Sequence, residues 1–126
     1  MSDYILDKDK YKAVLLYMAN VLGQIEGKKK AYKLLYFLDF DYYEAYEKSF
    51  TGEIYKALDM GPAPIYFVGV MEELINEGKI KIIKIRTSPM HENDTVIYKP
   101  LKKTDYKFSE QEKKMLDRVI KIYGNQ

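Results

Sequence analysis

Four carboxylates fall close together in one stretch: Asp39, Asp41, Glu44 and Glu47. Acid groups at that density suit a proton-transfer pair or a hard metal ion. The stretch reads as helix, and on a helix Asp39 and Asp41 point about 200° apart. They therefore share neither a proton nor a metal. Asp41 and Glu44 do share a face, but no His stands near them. The four acids read as a charged, solvated helix face. The single His, His91, sits beside Glu92 in a polar segment and reads as a solvated loop residue. Ser49, Thr51 and Ser109 have no base beside them, and no G-x-S-x-G, Walker or G-x-G-x-x-G pattern occurs. With no Cys there is no thiol nucleophile, disulfide or cysteine zinc site. One His excludes a histidine metal cluster. The expectation is a protein that is not an enzyme and uses no cofactor or metal. Lys28-Lys29-Lys30 is a basic run at a helix start, where positive charge is disfavoured by the helix dipole. It is either a phosphate contact or a solvated turn that enters the helix only at Ala31, and the second reading is preferred.

The elements that must position these residues can be read from periodicity. Tyr11, Val14, Leu15, Met18, Leu22 and Ile25 recur at helical spacing, so a first helix is expected from about Lys8 to Ile25. Asp7 or Asp9 caps it, and Gly27 stops it. A second helix runs from about Lys28 to Tyr46, with Ala31, Leu34, Leu35, Leu38 and Tyr42 as its inner stripe. Tyr36, Phe37, Phe40 and Tyr43 lie off that stripe, which marks a helix that is central or has a partner. Thr51-Gly52 reads as a turn and Glu53 to Leu58 as an extended segment. Gly61-Pro62-Ala63-Pro64 reads as a rigid loop, with Pro64 suited to the first turn of the next helix. That third helix reaches about Glu77, with Phe67, Val70, Met71 and Leu74 inward. Lys79 to Arg86 and Thr95 to Leu101 form a hairpin whose tip holds Ser88 to Asp94. Ser109 and Glu112 have capping-box spacing before a last helix with Met115, Val119, Ile122 and Tyr123 as its stripe.

The expected fold is therefore α+β and mostly helical: four main helices, a short extended segment and a small antiparallel hairpin. The chain of 126 residues, 47% hydrophobic and 32% charged, suits one domain over residues 1–126. Its start is polar and acidic, and no run approaches the roughly 20 apolar residues that span a bilayer. A cytoplasmic protein with no membrane partner is expected.

Charge is unevenly spread. Asp39 to Glu77 holds nine acidic residues against Lys48 and Lys56, a net −7. Lys79 to Lys107 holds eight basic residues against Glu92, Asp94 and Asp105, a net +5. Helices followed by a basic hairpin give a winged-helix-like order. Lys79, Lys81, Lys84, Arg86, Lys99, Lys102 and Lys103 would then contact phosphates. Against it, the preceding helix carries Glu72, Glu73 and Glu77 and no cation, which does not suit a major groove. Nucleic acid is the alternative partner, not the favoured one. The chain also carries 13 Tyr beside 5 Phe. Tyr joins an apolar body to a polar tip and suits contact surfaces.

The segment Lys33-Leu34-Leu35-Tyr36-Phe37-Leu38-Asp39-Phe40-Asp41-Tyr42-Tyr43 resembles the opening motif of the Panacea domain family, also called SocA-like. Phe50-Thr51-Gly52-Glu53-Ile54-Tyr55-Lys56-Ala57 and Gly61-Pro62-Ala63-Pro64 resemble the family's next segments at similar spacing, as do Leu74 to Gly78 and Phe108 to Glu112. The resemblance spans about Lys28 to Gly124. It implies an antitoxin of the kind encoded beside toxin genes in bacteria and phages, which neutralises a cognate protein toxin by direct binding. The SocA member acts as an adaptor that delivers its toxin to a AAA+ protease. By motif matching, Lys33, Leu34, Tyr36, Asp39, Gly52, Tyr55, Gly61 and Pro62 are the counterparts of the family signature. The structural reading is preferred for Gly52, Gly61 and Pro62, which set backbone geometry. Longer relatives carry a further helical segment with a His and a Trp that has no counterpart here. Aromatic side chains dominate binding hot spots, so Tyr36, Phe40, Tyr43, Tyr46, Tyr55 and Tyr66 are the candidate partner contacts.

Overall fold

The computed structural model describes residues 5–59, 61–85 and 95–125. The Asp7 carboxylate accepts from the Lys10 N–H and starts α1 (Lys8–Leu22). Tyr11, Val14, Leu15 and Met18 are buried as their spacing predicts, and so are Ala13, Leu16 and Ala19. α1 is thus covered on more than one side. The expected end at Ile25 is corrected. Gly23 takes φ 88°, a conformation that breaks the helix and that a side chain would resist. Ile25–Glu26 then form a short strand, β1, which helical spacing does not predict.

α2 (Lys28–Tyr46) has the expected bounds and buries the expected stripe of Ala31, Leu34, Leu35, Leu38 and Tyr42. Helix begins at Lys28, so the basic run is the first turn of α2 and not a turn before it. The Gly-Pro segment is also corrected. Tyr55–Leu58 (β2) and Gly61–Pro64 (β3) pair antiparallel, with Tyr55 opposite Pro64 and Leu58 opposite Gly61. Two prolines fit this strand because they sit two residues apart. The Ile65 N–H donates to the Ile54 carbonyl, which sets the register. Pro62 and Pro64 then fall at the positions whose nitrogens face away from the partner strand. Pro64 closes this ribbon and is not in the next helix, because α3 (Phe67–Asn76) begins three residues later. α3 buries Phe67, Val70, Met71 and Leu74 as expected.

β4 (Ile80–Ile85) and β5 (Thr95–Pro100) pair antiparallel, with Ile80 opposite Pro100 and Ile85 opposite Thr95. β1 adds to the far edge of β5, giving the order β1-β5-β4. The expected hairpin tip, with Arg86 and His91, lies outside the described residues. The order helix, strand, helix, helix, hairpin is winged-helix-like, with the β2–β3 ribbon inserted between α2 and α3. The mostly helical α+β class is as expected.

α4 (Glu110–Tyr123) closes the fold against α1 and α2. Its buried stripe is Leu116, Val119 and Ile120, with Met115 and Tyr123 half-buried, while Ile122 is 41% exposed. The expected stripe is rotated, because α4 packs in the angle between two helices and not on one flat face. Its Tyr123 ring stacks on Phe37 at 4.1 Å. The capping box is present: Ser109 Oγ accepts from the Glu112 N–H, and Glu112 accepts from the Ser109 N–H. Ser109→Ala is therefore expected to lower unfolding free energy by about 1 kcal/mol in a denaturant melt.

Candidate functional site

Asp39 lies on α2 between Leu38 and Phe40, yet it is only 6% exposed. The expectation of a solvated outer face is wrong for this residue. The segment after α2 folds back over it and supplies donors. The Phe50 and Thr51 N–H groups reach Oδ1 at 2.9 and 2.8 Å, and the Ser49 hydroxyl reaches it at 3.3 Å. The Thr51 and Tyr55 hydroxyls donate to Oδ2. One helix side chain thus organises the whole turn from Ser49 to Tyr55. Asp41 is not solvated either, because its carboxylate takes Arg118 of α4 at 3.1 Å. Glu44 and Glu47 are exposed as expected.

Glu53 is a second interior carboxylate, and sequence reasoning gave it no role. It accepts from the Tyr11 hydroxyl on α1 and from the N–H groups of Ile54 and Tyr66. It thereby ties α1, the turn and the start of α3 together. Its one sequence signal is its place inside the motif from Phe50 to Ala57. Burial pushes the carboxyls of both Asp39 and Glu53 above the usual range, and their hydrogen-bond donors oppose that rise. The charge of Asp39 raises Glu53 further. Burial, together with the carboxylate each one bonds, pushes Tyr11 and Tyr55 far up, so both keep their protons and act as donors.

Above this floor lies a cleft of about 290 Å³ lined by Tyr36, Asp39, Phe40, Tyr43, Ser49, Glu53 and Tyr55. Its walls are aromatic. Tyr36 stacks on Phe40 with centroids 5.9 Å apart and meets Tyr55 edge-on at 5.4 Å. Phe40 is 46% and Tyr43 42% exposed. A second, more apolar cleft of about 530 Å³ lies between α2 and β3. It is lined by Lys29, Tyr32, Lys33, Tyr36, Phe37, Leu58, Gly61, Pro62 and Ala63. The two clefts meet at Tyr36.

Of the six candidate contacts, the fold gathers Tyr36, Phe40, Tyr43 and Tyr55 into the first cleft. Tyr46 is exposed but packs on Tyr42 at 4.8 Å, outside both clefts. Tyr66 caps the start of α3, with its N–H on Glu53 and its side chain lining neither cleft. Among the signature residues, Leu34 is core, Asp39 and Gly52 build the turn, and Lys33, Gly61 and Pro62 line the second cleft.

The basic residues are not brought to a reading helix. Lys81, Lys84 and Lys99 are exposed on the hairpin, with Lys81 directly opposite Lys99. Lys102 and Lys103 are exposed beyond it, and Arg86 lies outside the described residues. Lys79 pairs with Glu77. α3 itself has no cation, and Glu73 takes Lys8 and Lys12 of α1, while Glu77 takes Lys12 and Lys79. Among the described residues no group of three or more acids or histidines is placed to hold a metal. No helix among them is long and apolar enough to cross a membrane.

Residues 32–126 match the family model described as antitoxin SocA-like, Panacea domain. No curated protein and no solved structure matches the chain. The matched span holds the first cleft, the entire turn over Asp39 and all of the second cleft's lining except Lys29, while α1, which supplies Tyr11, precedes it. A match over that much of the chain decides its kinship: the chain belongs to the antitoxin SocA-like Panacea domain family.

Proposed function

We propose that this protein neutralises a cognate protein toxin in the cytoplasm by binding it directly, through the face formed by α2 and the β2–β3 ribbon. One observation carries the reading. Phe40 and Tyr43 stay exposed at the first cleft, and a second, apolar cleft adjoins it at Tyr36, on the motif shared with an antitoxin family. Exposed aromatics beside concave, mostly apolar surface are what a partner's anchors use. The protein is read as a binder and not as an enzyme, because its two interior carboxylates are committed to hydroxyl and backbone donors. Occlusion of the toxin and delivery to a AAA+ protease are two modes of the same binding. They separate by whether toxin levels fall once this protein is expressed.

The test is co-expression with the product of the adjacent gene. Relief of growth arrest together with a co-purifying complex is the expected result. Arrest that persists, with no complex, would sink the proposal. Phe40→Ala combined with Tyr43→Ala is expected to weaken that complex by about 100-fold, the range of an aromatic hot spot. Unfolding free energy should fall by only about 1–2 kcal/mol, since both residues are about half exposed, so the variant stays folded and the loss of complex is read on folded protein. Val21→Ala, on α1 and lining neither cleft, is the control for truncating an exposed apolar side chain.

A further inference from the structure

We infer that the cleft over Asp39 is a receptor for one arginine side chain presented by the partner protein. The inference rests on the binding role proposed above and names the chemistry that this face selects.

Size restricts the occupant first. A cleft of about 290 Å³ lies at the lower end of small-ligand sites and admits one side chain, not a helix. The walls come next. Tyr36, Phe40 and Tyr43 offer aromatic faces, and a guanidinium is the cation that stacks flat on such rings with the smallest loss of hydration. The floor gives the sign of charge. Asp39 and Glu53 are buried, and the hydroxyls and N–H groups that hold them are neutral. Those donors occupy most of the carboxylate lone pairs, so a direct fork of hydrogen bonds is not the attraction. Every hydrogen bond drawn to these two carboxyls is a donor's, the arrangement that an ionised carboxylate takes, and their charge acts through the low-dielectric floor on a cation stacked above it. A neutral occupant gains no such attraction, and an acidic one is repelled. The stretch from Asp39 to Tyr55, which holds most of the cleft, has five acidic residues against Lys48, and although Asp41 is paired with Arg118 the remaining excess of negative charge favours the approach of a basic group.

The experiment uses the full chain and needs no toxin. Aromatic and backbone NMR signals are followed while N-acetyl-arginine methylamide is added, and separately its neutral isostere, N-acetyl-citrulline methylamide. The arginine probe is expected to saturate with a Kd on the order of millimolar and to shift Tyr36, Phe40, Tyr43 and Tyr55. The citrulline probe should bind about ten-fold more weakly, the range of a desolvated cation–π contact. Phe40→Leu keeps an apolar side chain and removes the ring. It should weaken the arginine probe by about three-fold or more, with the rest of the spectrum in place. Tyr43→Leu repeats the test on the other wall. Equal binding of both probes, shifts centred outside the cleft, or no saturation by tens of millimolar would overturn the inference. A failed co-expression rescue alongside selective arginine binding would count against the antitoxin role and leave the receptor standing. Rescue without arginine selectivity would do the reverse.

Discussion

Gly52→Ala is expected to lower unfolding free energy by about 3 kcal/mol or more, a large share of a small domain's stability. Two costs add. Gly52 has φ 79°, where an alanine is strained by about 1 kcal/mol. A Cβ there would also lie 2.0 Å from the Ile5 carbonyl oxygen and 2.7 Å from Leu6 Cα. Both are backbone atoms, so no side chain can swing aside. The neighbouring segment is held, because the Asp7 N–H donates to the Thr51 carbonyl at 3.1 Å. Gly52 is held as well, by its own N–H on Ser49 Oγ at 2.9 Å. Relief requires the chain before α1 to detach or the turn to open, and an overpacked contact of this kind costs about 1–3 kcal/mol more. The turn carries Thr51, Glu53 and Tyr55, so the same variant should lose partner binding. Denaturant midpoints at constant m-value would check it, and a loss below about 1 kcal/mol would show that the turn yields freely.

Asp39→Ala has the other large effect, about 3–5 kcal/mol. It leaves the N–H groups of Phe50 and Thr51 and the hydroxyls of Thr51 and Tyr55 without their acceptor. Each buried donor left unmatched costs about 1–3 kcal/mol, and the hydroxyls recover part of this by rotating. Asp39→Asn should cost less, about 1–2 kcal/mol. Its carbonyl oxygen still serves the two N–H groups, and its amide can donate to the Thr51 and Tyr55 oxygens. The two variants separate loss of acceptors from loss of charge.

The difference between wild type and Asp39→Asn should also depend on pH. Burial raises the Asp39 carboxyl in the folded state, so the native chain holds that proton more tightly than the unfolded chain does. Its contribution is then fully present below the ordinary carboxylate range and is lost as pH rises through the raised value. The cost of the Asn variant is expected to shrink as pH rises above the ordinary carboxylate range. Glu73 and Glu77, lowered mainly by their lysine partners, work in the opposite direction, and both proteins share that behaviour. The comparison therefore isolates Asp39. A cost that grows with pH would mean that the five donors outweigh burial.

How much of this was legible varies with the range of the interactions involved. The stripe of α2, the inward face of α3 and the capping box at Ser109 could all be read before folding. Helical spacing and caps are set by residues within four positions of one another. The signature segments placed the chain in its family and fixed attention on α2 and the Gly-Pro ribbon. The absence of Cys and the single His bounded the chemistry. β1 was not legible, because two residues become a strand only when β5 lies beside them. β3 was not legible, because two prolines argue against a strand until the register turns both nitrogens outward. The rotated face of α4 depended on the angle between α1 and α2.

Asp39 marks the boundary most sharply. Composition and spacing determined that a carboxylate stands there on a helix beside an aromatic row, and a carboxylate on a helix belongs in water unless something repays its lost hydration. Its donors come from 10 to 16 residues further along the chain, and those of its neighbour Glu53 come in part from Tyr11, 42 residues away. The sequence determined which side chains exist and which helices carry them. Only the tertiary structure decided that two acids would lie inside and that Tyr36, Phe40 and Tyr43 would wall a cleft above them. Burial is a property of what the rest of the chain brings over a residue, and local spacing does not encode it.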